Sequence, residues 1–281
     1  MDNPFTDVRC FTDWDDTRYF SHPALSRSDL VQILLDPIRW KHGERKPKTK
    51  AMDRGTILHG LILQGDEWAT ENLHVLDDAD FTKKDGSIPK NIKATTDYKK
   101  AAAEAGLRLP LLKSELATYD LAVQRARAAF GTHLEEMDKE VVFLATHEPT
   151  GLEVKAKVDL VDVEGLDAPW AADLKTSDDV SHDAFRRTIA NYRLDIQAAF
   201  YGDLVAAYLG QDAGACAWDF LGLEPNGANL TAIYQIPEAW ENLGRVGYTR
   251  ALSRVAEVKD DSFPKQYIGE LVATTWLIGG E

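Results

Sequence analysis

The sequence predicts an α/β (α+β) chain, a mixed central β-sheet flanked by helices and preceded by a helical N-terminal portion. Two observations carry this. The apolar residues recur with helical spacing up to about residue 138, then alternate with period two through several short runs. Those runs are interrupted by two further helical stretches, the mark of a sheet covered by helices. At 281 residues, 44% hydrophobic and 28% charged, the chain is long enough to bury a substantial core and is read as one domain, 1–281. Within it, 1–138 is the helical portion, 139–236 the sheet with its helices, and 237–281 a last helix and tail.

Ser26-Arg-Ser-Asp29 has the pattern of a capping box, and Pro37 marks the end of the helix it opens. Lys41–Lys50, with Gly43 and Pro47, reads as a loop. Ala51–Leu63 is helical, its stripe formed by Ile57, Leu58, Leu61 and Ile62. Asp80–Lys93 is a second polar loop, and helices follow near Thr95–Ala105 and Lys113–Phe130. Glu140–Thr146 and Leu152–Val163 alternate as strands joined by the turn Glu148-Pro-Thr-Gly151, and Trp170–Thr176 is a third strand. Ser181–Ala190 and Leu194–Leu209 are predicted amphipathic helices. Ala215–Leu223 and Leu230–Gln235 are two more strands, and Pro237 opens the last helix at its first position.

No apolar run approaches the roughly 18 residues that a bilayer requires. Met1–Phe11 contains Asp2, Asp7 and Arg9 and so is not a signal-peptide core, and a cytoplasmic protein is expected. Two cysteines, Cys10 and Cys216, are too few for a disulfide framework or a four-cysteine metal site. A metal here must be held by oxygen and imidazole, which suits Mg²⁺ or Mn²⁺. The net charge of −14 is unevenly spread. Lys41–Arg54 and Phe81–Lys100 each carry +4, so the remainder carries −22. Such segregation allows a basic surface on an acidic body, where Lys48, Lys50 and Arg54 would meet phosphates.

The chemistry concentrates in Leu152-Glu-Val-Lys-Ala-Lys-Val-Asp159 and Ala172-Asp-Leu-Lys-Thr176. Alternation places Lys155, Lys157 and Asp159 on one strand face, and Asp173 with Lys175 on one face of the next. If the strands pair, two carboxylates and an ammonium converge. Phosphodiester hydrolysis needs this set: carboxylates to hold a divalent ion, and a lysine to orient water and offset charge. Gln197 and Tyr201 stand at i, i+4 on one helix face. Gly55 lies one turn before His59, permitting a close neighbour, and Glu140 begins the first strand. Each of these three features is also compatible with an ordinary core or surface role.

Gly-Thr-x-Leu-His (55–59), Glu140, Lys-x-Lys-x-Asp (155–159), Asp-Leu-Lys-Thr (173–176) and Gln-Ala-Ala-Phe-Tyr (197–201) together resemble the RecB-like nucleases of the PD-(D/E)xK superfamily. The likeness is strongest to the exodeoxyribonuclease VIII (RecE) type and runs from about Ser21 to Leu209. It implies a restriction-endonuclease-like core. His59, Asp159, Asp173, the Leu174 backbone carbonyl and Glu140 would hold metal, and Lys175 would assist the attacking water. Gln197 and Tyr201 would touch DNA. Lys157 stands where the family often has arginine, a less bidentate phosphate contact. The implied activity is a 5′→3′ exonuclease acting on double-stranded DNA ends, releasing mononucleotides and leaving 3′ single strands. The likeness further implies a homo-oligomeric ring and a single-strand annealing protein as recombination partner. A structure-specific or restriction-type endonuclease, or a non-catalytic DNA-binding protein on this scaffold, would share the core.

Overall fold

The computed structural model describes residues 1–43, 50–83, 85–163 and 168–258, the side chains of 50–52 and 256–258 lying outside that description. The chain opens on a strand, β1 (Phe5–Phe11), followed by α1 (Asp16–Ser21), α2 (Arg27–Leu35) and α3 (Pro37–His42). Ser26 and Asp29 cap α2 reciprocally, as the sequence predicts. Asp36 then caps α3 through the N–H groups of Ile38 and Arg39, with Pro37 in the first turn. The proline that ends one helix therefore begins another, since a missing N–H costs nothing there. Next come α4 (Lys50–Leu63), α5 (Asp66–Asn72), β2 (Leu73–Leu76), α6 (Thr96–Ala103), β3 (Leu109–Leu112), α7 (Lys113–Ala129) and α8 (Gly131–Glu136). β2 and β3 pair in parallel as a small separate sheet.

The second half runs β4 (Asp138–His147), β5 (Leu152–Asp162), β6 (Trp170–Thr176), α9 (His182–Tyr192), α10 (Leu194–Tyr208), β7 (Ala217–Leu223), β8 (Thr231–Gln235) and α11 (Glu238–Val258). The main sheet has six strands in the order β1-β4-β5-β6-β7-β8. β6 and β7 are parallel, joined by the α9–α10 crossover, and every other neighbouring pair is antiparallel. One face packs against α2, α10 and α11 through Val141, Phe143, Val154, Ala156, Phe200, Trp218 and Leu252. The other packs against α4, α7 and α8 through Leu58, Ile62, Ala126, Phe130, Leu160 and Leu174. Burying each such Leu or Phe is worth about 1.5–3 kcal/mol, which fixes the sheet between its helical layers.

Three expectations change. The N-terminal portion is mostly helical but contributes the edge strand β1. Helix α10 is not amphipathic: every residue from Leu194 to Ala206 is buried, because the helix runs between the sheet and α11. Asp80–Lys93 is more than a loop, since Phe81 and Ile92 join Tyr98 and Leu112 in a small core of their own. Lys83, Lys90, Lys93, Lys99 and Lys100 stay exposed around it. Lys48 and Lys84 lie outside the described residues, as does 259–281 of the predicted tail. No described helix is long and apolar enough to cross a membrane.

Candidate active site

The site forms where β5 and β6 part. Their ladder runs only over Leu160↔Ala172, Val161↔Ala171 and Asp162↔Trp170. Beyond it the N–H of Leu174 has no strand partner on the β5 side, and the Asp159 carboxylate accepts it at 2.9 Å. A strand residue sends its N–H and C=O to the same side, so the Leu174 carbonyl opens toward Asp159 too. The alternation of β5 resets here. Val158 and Val161, three apart, face one core while Leu160 faces the other. Opposite Asp159 in the β4–β5 register stands Glu140, whose φ of 58° is left-handed. That conformation costs a non-glycine residue about 1–3 kcal/mol and turns the strand locally.

The two kinks bring Glu140 and Asp159 onto His59 of α4. His59 Nε2 lies 2.9 Å from Asp159 Oδ2, and Nδ1 lies 3.2 Å from Glu140 Oε1. The helix reaches the sheet at Gly55, where a Cβ would stand 3.3 Å from Thr176 Oγ1. His59, Glu140 and Asp159 offer ligand atoms all within 4.8 Å of one another. Burial opposes charge on His59, but Asp159 and Glu140 outweigh it and raise the imidazole to about 9. Burial would raise Asp159, yet the adjacent His59 holds it well below the carboxylate range. Burial raises Glu140 against the pull of His59 and Lys157.

Asp173 stands apart from this trio. Lys175 Nζ meets Asp173 Oδ2, and Gln197 Nε2 donates to Oδ1. Burial, and then repulsion from Asp159, pushes the Asp173 carboxyl up to about 6. Lys157 bridges Glu140 and Asp16, the latter at 2.6 Å. Lys155, on the same face, is buried and donates to the carbonyls of Tyr19 and His22 at 2.6 and 2.7 Å, tying α1 to the sheet.

The structure thus brings together Asp159, Glu140 and His59, with Asp173, Lys175 and Leu174 on the neighbouring strand. Gln197 and Tyr201 sit beneath this cluster, buried, with Gln197 donating to Asp173. Lys157 is occupied by two carboxylates. Arg54 is held by Asp178 at 3.1 Å and Asn226 at 3.3 Å. Lys50 begins α4, its side chain outside the description. Sequence reasoning missed Asp16, Tyr19 and Arg27 around the site. Its one signal there, the Ser26–Asp29 cap, reports backbone and not side-chain direction.

The donor set fits a hard divalent cation. It combines carboxylate oxygens, a backbone carbonyl and one imidazole. Glu140 Oε1 and Asp173 Oδ2 are buried and, apart from their ion-pair contacts, have no hydrogen-bond partner. Fold and donor set together define a PD-(D/E)xK nuclease-like core with an acidic metal-site candidate. Residues 38–271 match the model of the PDDEXK-like domain of unknown function (DUF3799), and the chain belongs to that family. No curated protein matches its sequence. A crystal structure of a "Putative exonuclease" from Eubacterium rectale shares the fold, with a TM-score of 0.55 at 13% identity, covering 96% of this chain and 100% of that one.

Proposed function

We propose that this protein is a divalent-metal-dependent deoxyribonuclease, an exonuclease acting 5′→3′ from the ends of linear double-stranded DNA. The observation that carries the hydrolytic reading is the cluster at the β5–β6 opening: His59, Glu140 and Asp159 face one another beside an Asp173–Lys175 pair. Asp159, Asp173, Glu140, His59 and the Leu174 carbonyl would hold Mg²⁺ or Mn²⁺. When bound, such an ion polarises the scissile phosphate and lets its water ionise near neutral pH. Lys175, on the Asp173 carboxylate, holds the attacking water and faces the negative charge that builds on the phosphate. Lys157 neutralises Glu140 from the other side and keeps that carboxylate turned inward. Gln197 fixes the orientation of Asp173 from within the core.

Polarity, mononucleotide release and action on DNA ends rest on the resemblance to exodeoxyribonuclease VIII-type enzymes. So do a homo-oligomeric ring and a single-strand annealing partner. The exposed lysines of 83–100 support DNA association in an otherwise acidic chain. The test pairs an end-labelled linear duplex with a covalently closed circle of the same sequence, in Mg²⁺, Mn²⁺ and excess chelator. Loss of label from the linear DNA alone, abolished by chelator, is expected. Nicking of the circle would make the enzyme an endonuclease, and full activity in chelator would remove the metal.

A further inference from the structure

Arg27 opens α2 beside the site without having been assigned a part in it. Its Nη2 donates to the backbone carbonyl of Tyr192, the last residue of α9. Its Nε is sealed from solvent and has no hydrogen-bond partner. The ionisable groups acting on the guanidinium are the Tyr201 hydroxyl, Asp173 and Asp195, with Arg193 opposing. None of these carboxylates is committed to it. Asp195 is gripped in bidentate fashion by Arg193, Nε to Oδ1 at 3.0 Å and Nη2 to Oδ2 at 2.8 Å. Asp173 is taken by Lys175 and Gln197. Among the described residues no carboxylate forms an ion pair with Arg27.

A half-buried guanidinium without a counter-ion is a costly arrangement, because its charge is partly withdrawn from water and gains little in return. A simple helix-end contact to Tyr192 explains one N–H and leaves the positive charge uncompensated. The planar fork matches a phosphate, to which the two Nη groups at its outer edge donate in parallel. We propose that Arg27 is a phosphate clamp of the site, receiving a non-bridging oxygen pair of the DNA strand that enters the Asp159–Asp173 cluster. This rests on the nuclease reading and adds to it a residue that positions substrate without binding metal. The clamp supplies the missing counter-charge when DNA is present, so Arg27 gains its partner only in the complex.

The experiment compares wild type with Arg27→Lys and Arg27→Gln. Thermal melting, duplex binding in Ca²⁺ as a function of salt, and steady-state cleavage in Mg²⁺ are measured on each. Lysine keeps the charge and reaches the Tyr192 carbonyl, so a structural role is rescued by it and a bidentate phosphate contact is not. The clamp predicts that Arg27→Lys melts like wild type yet binds DNA about 10-fold more weakly, with an unchanged salt slope and a KM raised more than kcat is lowered. Arg27→Gln binds still more weakly, and its salt slope falls by about 0.9 as one phosphate contact is lost. Wild-type affinity and KM in Arg27→Lys overturn the clamp and leave the nuclease reading intact. A wild-type protein that neither binds nor cleaves DNA fails the nuclease reading first and takes the clamp with it.

Discussion

Asp203 and Asp173 are both buried carboxylates beside the same helix, α10, and their neighbours treat them in opposite ways. Asp203 is fully buried on α10. It accepts from Arg245 Nε and Nη2, from the Tyr248 hydroxyl at 2.7 Å and from the Gly214 N–H at 2.9 Å. Both oxygens are satisfied, and Arg245 is itself steadied by Glu241 and Asn242. Asp173, by contrast, faces Asp159, has its Oδ2 held only by the ion pair with Lys175, and has its pKa raised by burial and by that repulsion. A buried carboxylate that serves the fold is surrounded by donors until its charge is neutralised. Asp173 has one donor on each oxygen and a like charge beside it, the arrangement expected of a carboxylate that a cation would complete.

The sharpest way to test that contrast is Asp173→Asn. Cleavage should fall by about 10³-fold or more, as a ligand charge leaves the cluster. The melting temperature at pH 7 should hold or rise, because a repelled, desolvated charge goes with it. Collapse of the fold in this variant would erase the distinction. Asp203→Ala should do the reverse, losing about 3–5 kcal/mol in urea denaturation as Arg245 is stranded in the core. Its folded fraction should keep near-wild-type turnover.

Metal sharpens the comparison further. Mg²⁺ or Mn²⁺ at about 100 times its Kd should stabilise wild type by about 2.7 kcal/mol, read as a shift in thermal melting. His59→Ala should lose most of that shift while Asp203→Ala retains it. A melting point lowered in His59→Ala with the metal shift intact would return His59 to the role of a core histidine.

The smallest effect sets the background for the others. His147 is buried against Phe5 and its pKa is lowered by that burial. A folded pKa below the unfolded value of about 6.5 means that its contribution is present above that pH and is lost on acidification. His147→Gln should flatten the decline in stability below about pH 6.5 by under about 1 kcal/mol, leaving cleavage at pH 7.5 unchanged. A larger change would show that acid sensitivity cannot be ascribed to the carboxylate clusters alone.

Much of the candidate metal cluster was legible because strands write their faces into the sequence with period two. Asp159, Asp173 and Lys175 could be placed together on spacing, and Gly55–His59 joined them through the motif order. Glu140 fitted the motif but its left-handed backbone left no trace in periodicity. Strand β1 was missed for a related reason: Asp7 has a φ of 52° and the β1–β4 register slips between Thr6 and Arg9, which breaks the alternation. The Asp203 network was invisible because it joins α10 to α11 across some forty residues, and no local period links them. Gln197 and Tyr201 were found as a pair on one helix face, but which face meets solvent is decided by packing. Here α10 has no solvent face through Ala206.

That buried helix has a mechanical consequence. Gln197 and Asp203 lie six residues apart on it, about 9 Å along the axis. One end therefore orients the Asp173 carboxylate while the other is bolted through Asp203 to Arg245 and Tyr248 of α11. Close approach of the two helices is enforced at Gly244, where a Cβ would fall 2.1 Å from the Asp195 carbonyl. The carboxylates at the strand opening therefore face a helix anchored away from them, at Gly244 as well as at Asp203.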